Sequence, residues 1–191
     1  MSSFDARAAE WDKNARRRAV AKAVAEFTKP FVKPGAKILD FGCGTGLVSY
    51  HFADTAAKIV GVDSSQKMRR EFAKKSPGPH IYATESMPNE TFDLIISSMT
   101  LHHIEDIAAL AREFVARLKP GGAVVVADLE KEDGTFHDSG NEGVYHFGFE
   151  PKELAEVFKA AGLEPIGWER VYTIQKHRPF GVFCLSARRS P

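Results

Sequence analysis

Between Ile38 and Ser49 the chain reads Ile-Leu-Asp-Phe-Gly-Cys-Gly-Thr-Gly-Leu-Val-Ser, and few folds accommodate that order. An apolar run of strand type ends in Gly42, Gly44 and Gly46, and the start of a helix follows. Glycine enters backbone regions closed to other residues and lets a ligand approach the main chain. Strand, glycine turn and helix is how open α/β sheets form a nucleotide site, at the carboxyl end of the strand. The spacing is G-x-G-x-G, with Leu47 where G-x-G-x-x-G would want its third glycine, so the dinucleotide fingerprint is incomplete.

A second signal supports the first. Lys58-Ile-Val-Gly-Val-Asp63 is another apolar strand that ends in an acid. It lies about 20 residues past the glycines, where a carboxylate can accept hydrogen bonds from ribose hydroxyls. With Asp40 in front of the glycines, the two acids turn a weak motif into a strong one.

Taken together, Asp40-Phe-Gly-Cys-Gly-Thr-Gly46, Gly61-Val-Asp63, Phe92-Asp-Leu-Ile-Ile-Ser97 with Leu101-His-His103, and Leu118-Lys-Pro-Gly-Gly122 resemble the class I S-adenosylmethionine-dependent methyltransferases. The resemblance covers residues 36–128 by motif and the remainder by element order. It implies an α/β fold: a doubly wound, seven-stranded, mostly parallel Rossmann-like sheet with a terminal antiparallel hairpin. The last strand would insert between the fifth and sixth. The expected organisation is one domain over 1–191, with a helical lid or arm over 1–30 and a core over 36–191.

The resemblance also implies the cofactor, S-adenosylmethionine, and its contacts. Asp40, Phe41, Gly42, Cys43, Gly44 and Gly46 would hold the methionyl part, with Asp40 organising the loop and Cys43 packed rather than nucleophilic. Asp63 would take the ribose, with Ser64 and Met68 beside it. Thr84, Glu85, Ser86 and Met87 would lie near the adenine, Ser97 near the reactive end, and Trp11 in the lid with one arginine of Arg16, Arg17 and Arg18. Related proteins place an Asp at the end of the third strand to hold the adenine amino group. Counted back from Pro88, that position is Ala83. Either Glu85 takes the role, or backbone groups and Met87 do.

Along the chain, apolar residues at three- and four-residue steps (Phe4, Ala8, Trp11, Ala15, Ala19, then Val20, Ala23, Val24, Phe27) predict helix over 4–28. A helix is expected from Gly46 to Ala53, and another after the capping Ser64 and Ser65. Strands are expected at His80–Thr84, Phe92–Ser97 and Ala123–Asp128, the last two as continuous apolar runs of the buried parallel kind. Helices follow at Glu105–Leu118 and Glu150–Ala161, and terminal strands at Glu164–Thr173 and Phe180–Ala187. The polar, Gly-rich stretch from Leu129 to Gly148 has no periodicity. A loop of about 20 residues in a compact domain is functional or disordered, and this one leaves a core strand at its carboxyl end, where it would wall the acceptor pocket.

His102 and His103 follow the fourth strand, beside the glycine loop in the expected sheet, and are the candidate catalytic bases; the bland alternative is that they pack under the next helix. His137 and His146 suggest metal only weakly, without a cysteine or acidic pair at ligand spacing, and no metal site is expected.

Composition narrows the partners. With 26 Lys and Arg against 25 Asp and Glu, no global field draws the chain to nucleic acid, and no basic groove with interleaved aromatics is present. No run approaches the ~18 apolar residues of a membrane span, and two cysteines make no disulfide framework. The expected setting is cytoplasmic, and the expected partner is a small-molecule acceptor; oligomeric state is not legible. Two rivals remain. A nicotinamide-dependent oxidoreductase is disfavoured by G-x-G-x-G and Leu118-Lys-Pro-Gly-Gly122. A non-catalytic cofactor-binding module stays open because of Ala83.

Overall fold

The computed structural model describes residues 3–138 and 140–191, with side chains from Asp5 onward, so the side chain of Phe4 lies outside the described residues. The elements in order are α1 (Ser3–Arg7), α2 (Ala15–Thr28), β1 (Lys37–Phe41), β2 (Lys58–Val62), α3 (Gln66–Lys74), β3 (Ile81–Thr84), β4 (Phe92–Ser98), α4 (Ile107–Arg117), β5 (Leu118–Leu129), α5 (Pro151–Ala160), β6 (Leu163–Gln175) and β7 (Pro179–Arg189). The strands form one seven-stranded sheet in the order β3-β2-β1-β4-β5-β7-β6. All pairs are parallel up to β5, and β7 runs antiparallel between β5 and β6.

Successive strand side chains point to opposite faces, and that rule sorts the apolar runs into two cores. Ile38, Leu94, Ile96 and Val125 face α2 and α3, with Phe52 and Phe72. Leu39, Ile95, Val124 and Val126 face α4 and α5, with Phe114 and Phe158. Covered on both faces, the inner strands have no polar face, which is why they read as unbroken apolar runs. The chain steps outward from β1 through β2 to β3, then returns to place β4 on the other side of β1. The loops after β1 and β4 therefore diverge at a topological switch point, where open α/β sheets hold their ligands.

Three local expectations change. The helix predicted over 4–28 is interrupted: α1 gives way to a 3-10 stretch over Ala8–Lys13, and α2 begins afresh after Asn14, whose Oδ1 accepts from the Arg17 amide at 3.1 Å. Asparagine there satisfies an orphan amide that a continuous helix would not have exposed. The helix predicted from Gly46 to Ala53 is only a 3-10 turn, Ser49–Phe52, between irregular turns. The strand predicted at Ala123–Asp128 begins at Leu118 and carries Pro120-Gly-Gly122 within it.

Candidate active site

Each glycine of the first loop has its own physical reason. A Cβ on Gly42, at φ +74°, would sit 2.1 Å from Thr100 Oγ1, so the loop after β1 packs directly on the loop after β4. A Cβ on Gly46 would meet the Tyr50 and Phe72 rings at 2.5 and 2.8 Å. Gly44 differs: the nearest atom to its Cβ position is Trp11 Nε1, 4.0 Å away. Its bare α-carbon faces open space beneath the arm, where a ligand can lie against the main chain.

Asp63, half-buried at the end of β2, holds the loop in place. The Gly44 amide donates to its Oδ2 at 2.8 Å, and the Ser65 amide donates to its Oδ1 at 2.8 Å. Burial raises its pKa, against the lowering effect of those two amides. Asp40 is more deeply enclosed. Ser49 Oγ donates to its Oδ2 at 2.5 Å, yet burial, with help from the Asp63 charge, pushes its pKa up to about 6. A buried carboxylate with one neutral hydrogen bond is under-compensated, and a cation placed beside it would relieve that.

The N-terminal arm is tied across this loop. Thr45 Oγ1 donates to Asp12 Oδ1 at 2.5 Å, and Lys75 Nζ reaches Asp12 Oδ2 at 2.6 Å. Ser65 Oγ, which caps α3, donates to Asp5 Oδ1 at 2.6 Å. The Arg17 guanidinium stacks on the Trp11 ring, 3.7 Å from its centre.

A cavity of about 660 Å3 lies between the arm, the loops after β1, β2 and β4, and the segment around Phe136–Val144. Trp11, Asp40, Phe41, Gly42, Cys43, Gly44, Asp63, Ser64, Met68, Glu85, His102 and His103 line it. Gly46, Thr84, Ser86, Met87 and Ser97 stand outside the lining. Ser97 Oγ donates to the Phe41 carbonyl at 2.9 Å, Thr84 Oγ1 donates to the Ser86 carbonyl at 2.9 Å, and Met87 packs against the α4 side of the core. Ser98, Met99 and Thr100 occupy the wall beyond β4 instead. Glu85 is mostly exposed and pairs with Arg69 at 3.5 Å.

The far wall is built from histidines. His102 is 3% exposed, and its Nδ1 lies 2.6 Å from Oδ1 of Asp128, which is fully buried at the end of β5. Asp128 also accepts from the His102 and Leu129 amides. Burial opposes a charge on His102, but the Asp128 carboxylate outweighs it and raises the pKa. His103 Nδ1 lies 2.7 Å from the Gly143 carbonyl, and burial with the neighbouring His102 lowers its pKa. His137 comes from the segment after β5. Its ring centre is 5.2 Å from that of His102 and 5.8 Å from that of His103, and burial plus those two rings lower its pKa to about 4. His146 turns elsewhere, with Nε2 2.9 Å from the Ile104 carbonyl.

Sequence reasoning missed the pairing of Asp128 with His102, the convergence of His137 on His102 and His103, and the part of Asp5 and Asp12 in seating the arm. An acid closing an otherwise apolar buried strand was the available signal for Asp128. The aperiodic segment offered none for His137. Its position is set by tertiary contacts: the Glu132 amide donates to the Phe147 carbonyl at 2.8 Å, and Lys176, in the turn between β6 and β7, pairs with Asp138 at 2.5 Å. Among the described residues, no helix is long and apolar enough to cross a membrane.

Comparison with known proteins gives a family match and several relatives. A family model described as a methyltransferase domain matches residues 11–167. An uncharacterised methyltransferase of Schizosaccharomyces pombe is 34% identical over 154 residues, covering 69% of this chain and 54% of the relative. Phosphoethanolamine N-methyltransferase 1 of Zea mays is 36% identical over 129 residues, covering 60% of this chain and 26% of the relative. The chain thus spans about half or less of the curated relatives it matches. Among solved structures, the protein bound to the Trm112 methyltransferase activator of Haloferax volcanii aligns with TM-score 0.83 at 19% identity, over 100% of this chain and 99% of that one. Phosphoethanolamine N-methyltransferase 2 of Haemonchus contortus in complex with S-adenosyl-L-methionine aligns with TM-score 0.70 at 18% identity, over 89% and 52%.

Proposed function

The chain belongs to the S-adenosylmethionine-dependent methyltransferases, and on that footing we propose that it carries the donor's methyl group to a small acceptor held against the histidine wall. The observation that carries this reading is one cavity with two chemically distinct halves: carboxylates and bare backbone on the glycine-loop side, imidazoles on the other.

On the donor side, Asp40 takes the ammonium of the methionyl part, which supplies the missing cation beside a buried carboxylate. Arg17, stacked on Trp11, offers a guanidinium to the donor carboxylate. Asp63 accepts from the ribose hydroxyls, and the Gly44 α-carbon lets the chain lie close. Adenine falls toward Glu85 and Met68. The arm, fastened through Asp5 and Asp12, closes over the donor and excludes water.

The reaction is an in-line displacement. A lone pair of the acceptor forms a bond to the methyl carbon as the carbon–sulfur bond breaks, and the sulfonium takes that electron pair and leaves as a neutral thioether. The donor is activated by its own charge, so alignment does most of the work; a well-oriented pair recovers roughly 7–11 kcal/mol of barrier. His102, oriented by Asp128, and His103 activate an acceptor that must lose a proton.

A small acceptor is supported by the cavity itself, whose volume of about 660 Å3 lies in the range of small-molecule sites. The near-balanced charge and the maize relative that acts on phosphoethanolamine point the same way. Methyl-labelled donor should transfer label to members of a panel of small hydroxyl and amine compounds. Label found only in bulk RNA or protein contradicts the reading.

A further inference from the structure

We propose that His102, His103 and His137 form a mononuclear site for a borderline divalent metal of the Zn2+ class, with one coordination position open to the acceptor half of the cavity. One ligand nitrogen from each ring lies within 4.8 Å of the others. Bonds of 2.0–2.1 Å in a tetrahedral site put ligand nitrogens about 3.4 Å apart, so the set needs only a modest closure. His102 and His103 are fixed on one 3-10 turn, Leu101–His103. His137 comes from a segment without regular structure and supplies the movement.

Proximity alone would not distinguish a metal site from a packed cluster. The outer contacts do. Metal-binding histidines typically donate their second ring N–H to a carboxylate or a backbone carbonyl, which fixes the tautomer and aims the remaining lone pair. Both forms occur here: His102 Nδ1 on Asp128 at 2.6 Å, and His103 Nδ1 on the Gly143 carbonyl at 2.7 Å. In the neutral rings the lone pair of each is therefore on Nε2. The third member adds an independent sign, because His137 Nδ1 is buried with no hydrogen-bond partner among the described residues. Buried polar atoms are rarely left so.

The donor set selects the metal. Three imidazoles with no thiolate suit Zn2+, Co2+ or Fe2+ rather than Mg2+ or Ca2+, which take oxygen ligands. Three protein ligands and an open position is the arrangement of a catalytic rather than a structural centre. A hydroxyl bound there ionises near neutral pH: its proton leaves to solvent, its oxygen keeps the electron pair, and that pair attacks the donor's methyl carbon. The acceptor class is then a hydroxyl compound. That role rests on the methyl-transfer reading; the metal site does not.

The test uses the untagged chain of residues 1–191, stripped with chelator and titrated with Co2+ and with Zn2+ by calorimetry and visible absorption. The proposal expects one equivalent bound, with the intense visible bands of four-coordinate Co2+. It expects at least a tenfold loss of affinity in His103→Gln and in His137→Ala, and about 10–100-fold in Asp128→Asn, the usual effect of removing an outer-shell partner. S-adenosylmethionine titrated into the same samples reports that each variant is folded and separates the two claims. Donor binding without stoichiometric metal, or metal affinity unchanged in His103→Gln and His137→Ala, overturns the site. Metal binding without donor binding supports the site and counts against the methyl-transfer reading.

Discussion

Burial holds the Asp40 carboxyl at about 6, well above an ordinary aspartate, so this residue trades stability for binding. The folded state keeps the proton at a pH where the unfolded chain has released it. Stability is therefore undiminished below about pH 4, falls as pH rises from about 4 to 6, and stays reduced by about 3 kcal/mol above that. Asp40→Asn removes the loss: thermal melts should show a variant more stable than wild type at pH 7.5 and equal to it at pH 4, with weaker donor binding. The same titration predicts that wild-type donor affinity rises between pH 5 and 7, as the carboxylate that meets the donor's ammonium forms. The glycines separate along similar lines. Gly42→Ala, with Thr100 2.1 Å from its Cβ, should lose about 2–5 kcal/mol through clash and strain. Gly44→Ala should cost only about 1 kcal/mol of left-handed strain but abolish donor binding, because its methyl would fill the donor's place. Denaturant melts and calorimetry on the two variants check both halves. The G-x-G-x-G spacing was legible from the sequence; the division of labour among its glycines was not, since it depends on which side chain lies opposite each one.

Among the elements, the arm carries the clearest prediction. Its tie to the glycine loop runs through Asp12, which accepts from the buried Thr45 hydroxyl and pairs with Lys75 at partly exposed positions, and an exposed ion pair contributes only about 0–1 kcal/mol. Asp12→Ala should leave the unfolding midpoint within about 2 °C of wild type while donor dissociation quickens several-fold in stopped-flow measurements. Trypsin cleavage among Arg16, Arg17 and Arg18 should also quicken. The inner strands were readable because burial on both faces demands unbroken apolar runs. The arm was readable as helical but not as broken, because a single Asn capping α2 at residue 14 outweighs the periodicity around it. The short turn after the glycine loop defied the expected helix for a comparable reason: tertiary packing of Tyr50 and Phe72 against Gly46 sets the backbone there.

At the level of the whole molecule, the sheet's switch point brings two distant parts of the chain to one cavity. The strand runs announced an α/β sheet, whereas the order β3-β2-β1-β4-β5-β7-β6 followed from the family resemblance rather than from periodicity. The glycine-loop side of the cavity was legible because its motif is local, from Asp40 to Asp63. The opposite side was legible only in part: His102, His103 and the loop after β5 could be singled out, but Asp128 and His137 meet His102 only through the β4–β5 pairing and the folding of the segment after β5 back on the β6–β7 hairpin. The most direct measurement is calorimetric titration of S-adenosylmethionine into wild type and Asp63→Ala, with NADH in parallel. One equivalent bound by wild type, and affinity reduced roughly 10- to 100-fold in the variant by loss of charge-assisted hydrogen bonds, is the predicted result. NADH binding in place of S-adenosylmethionine, or equal donor affinity in the two proteins, would contradict the account.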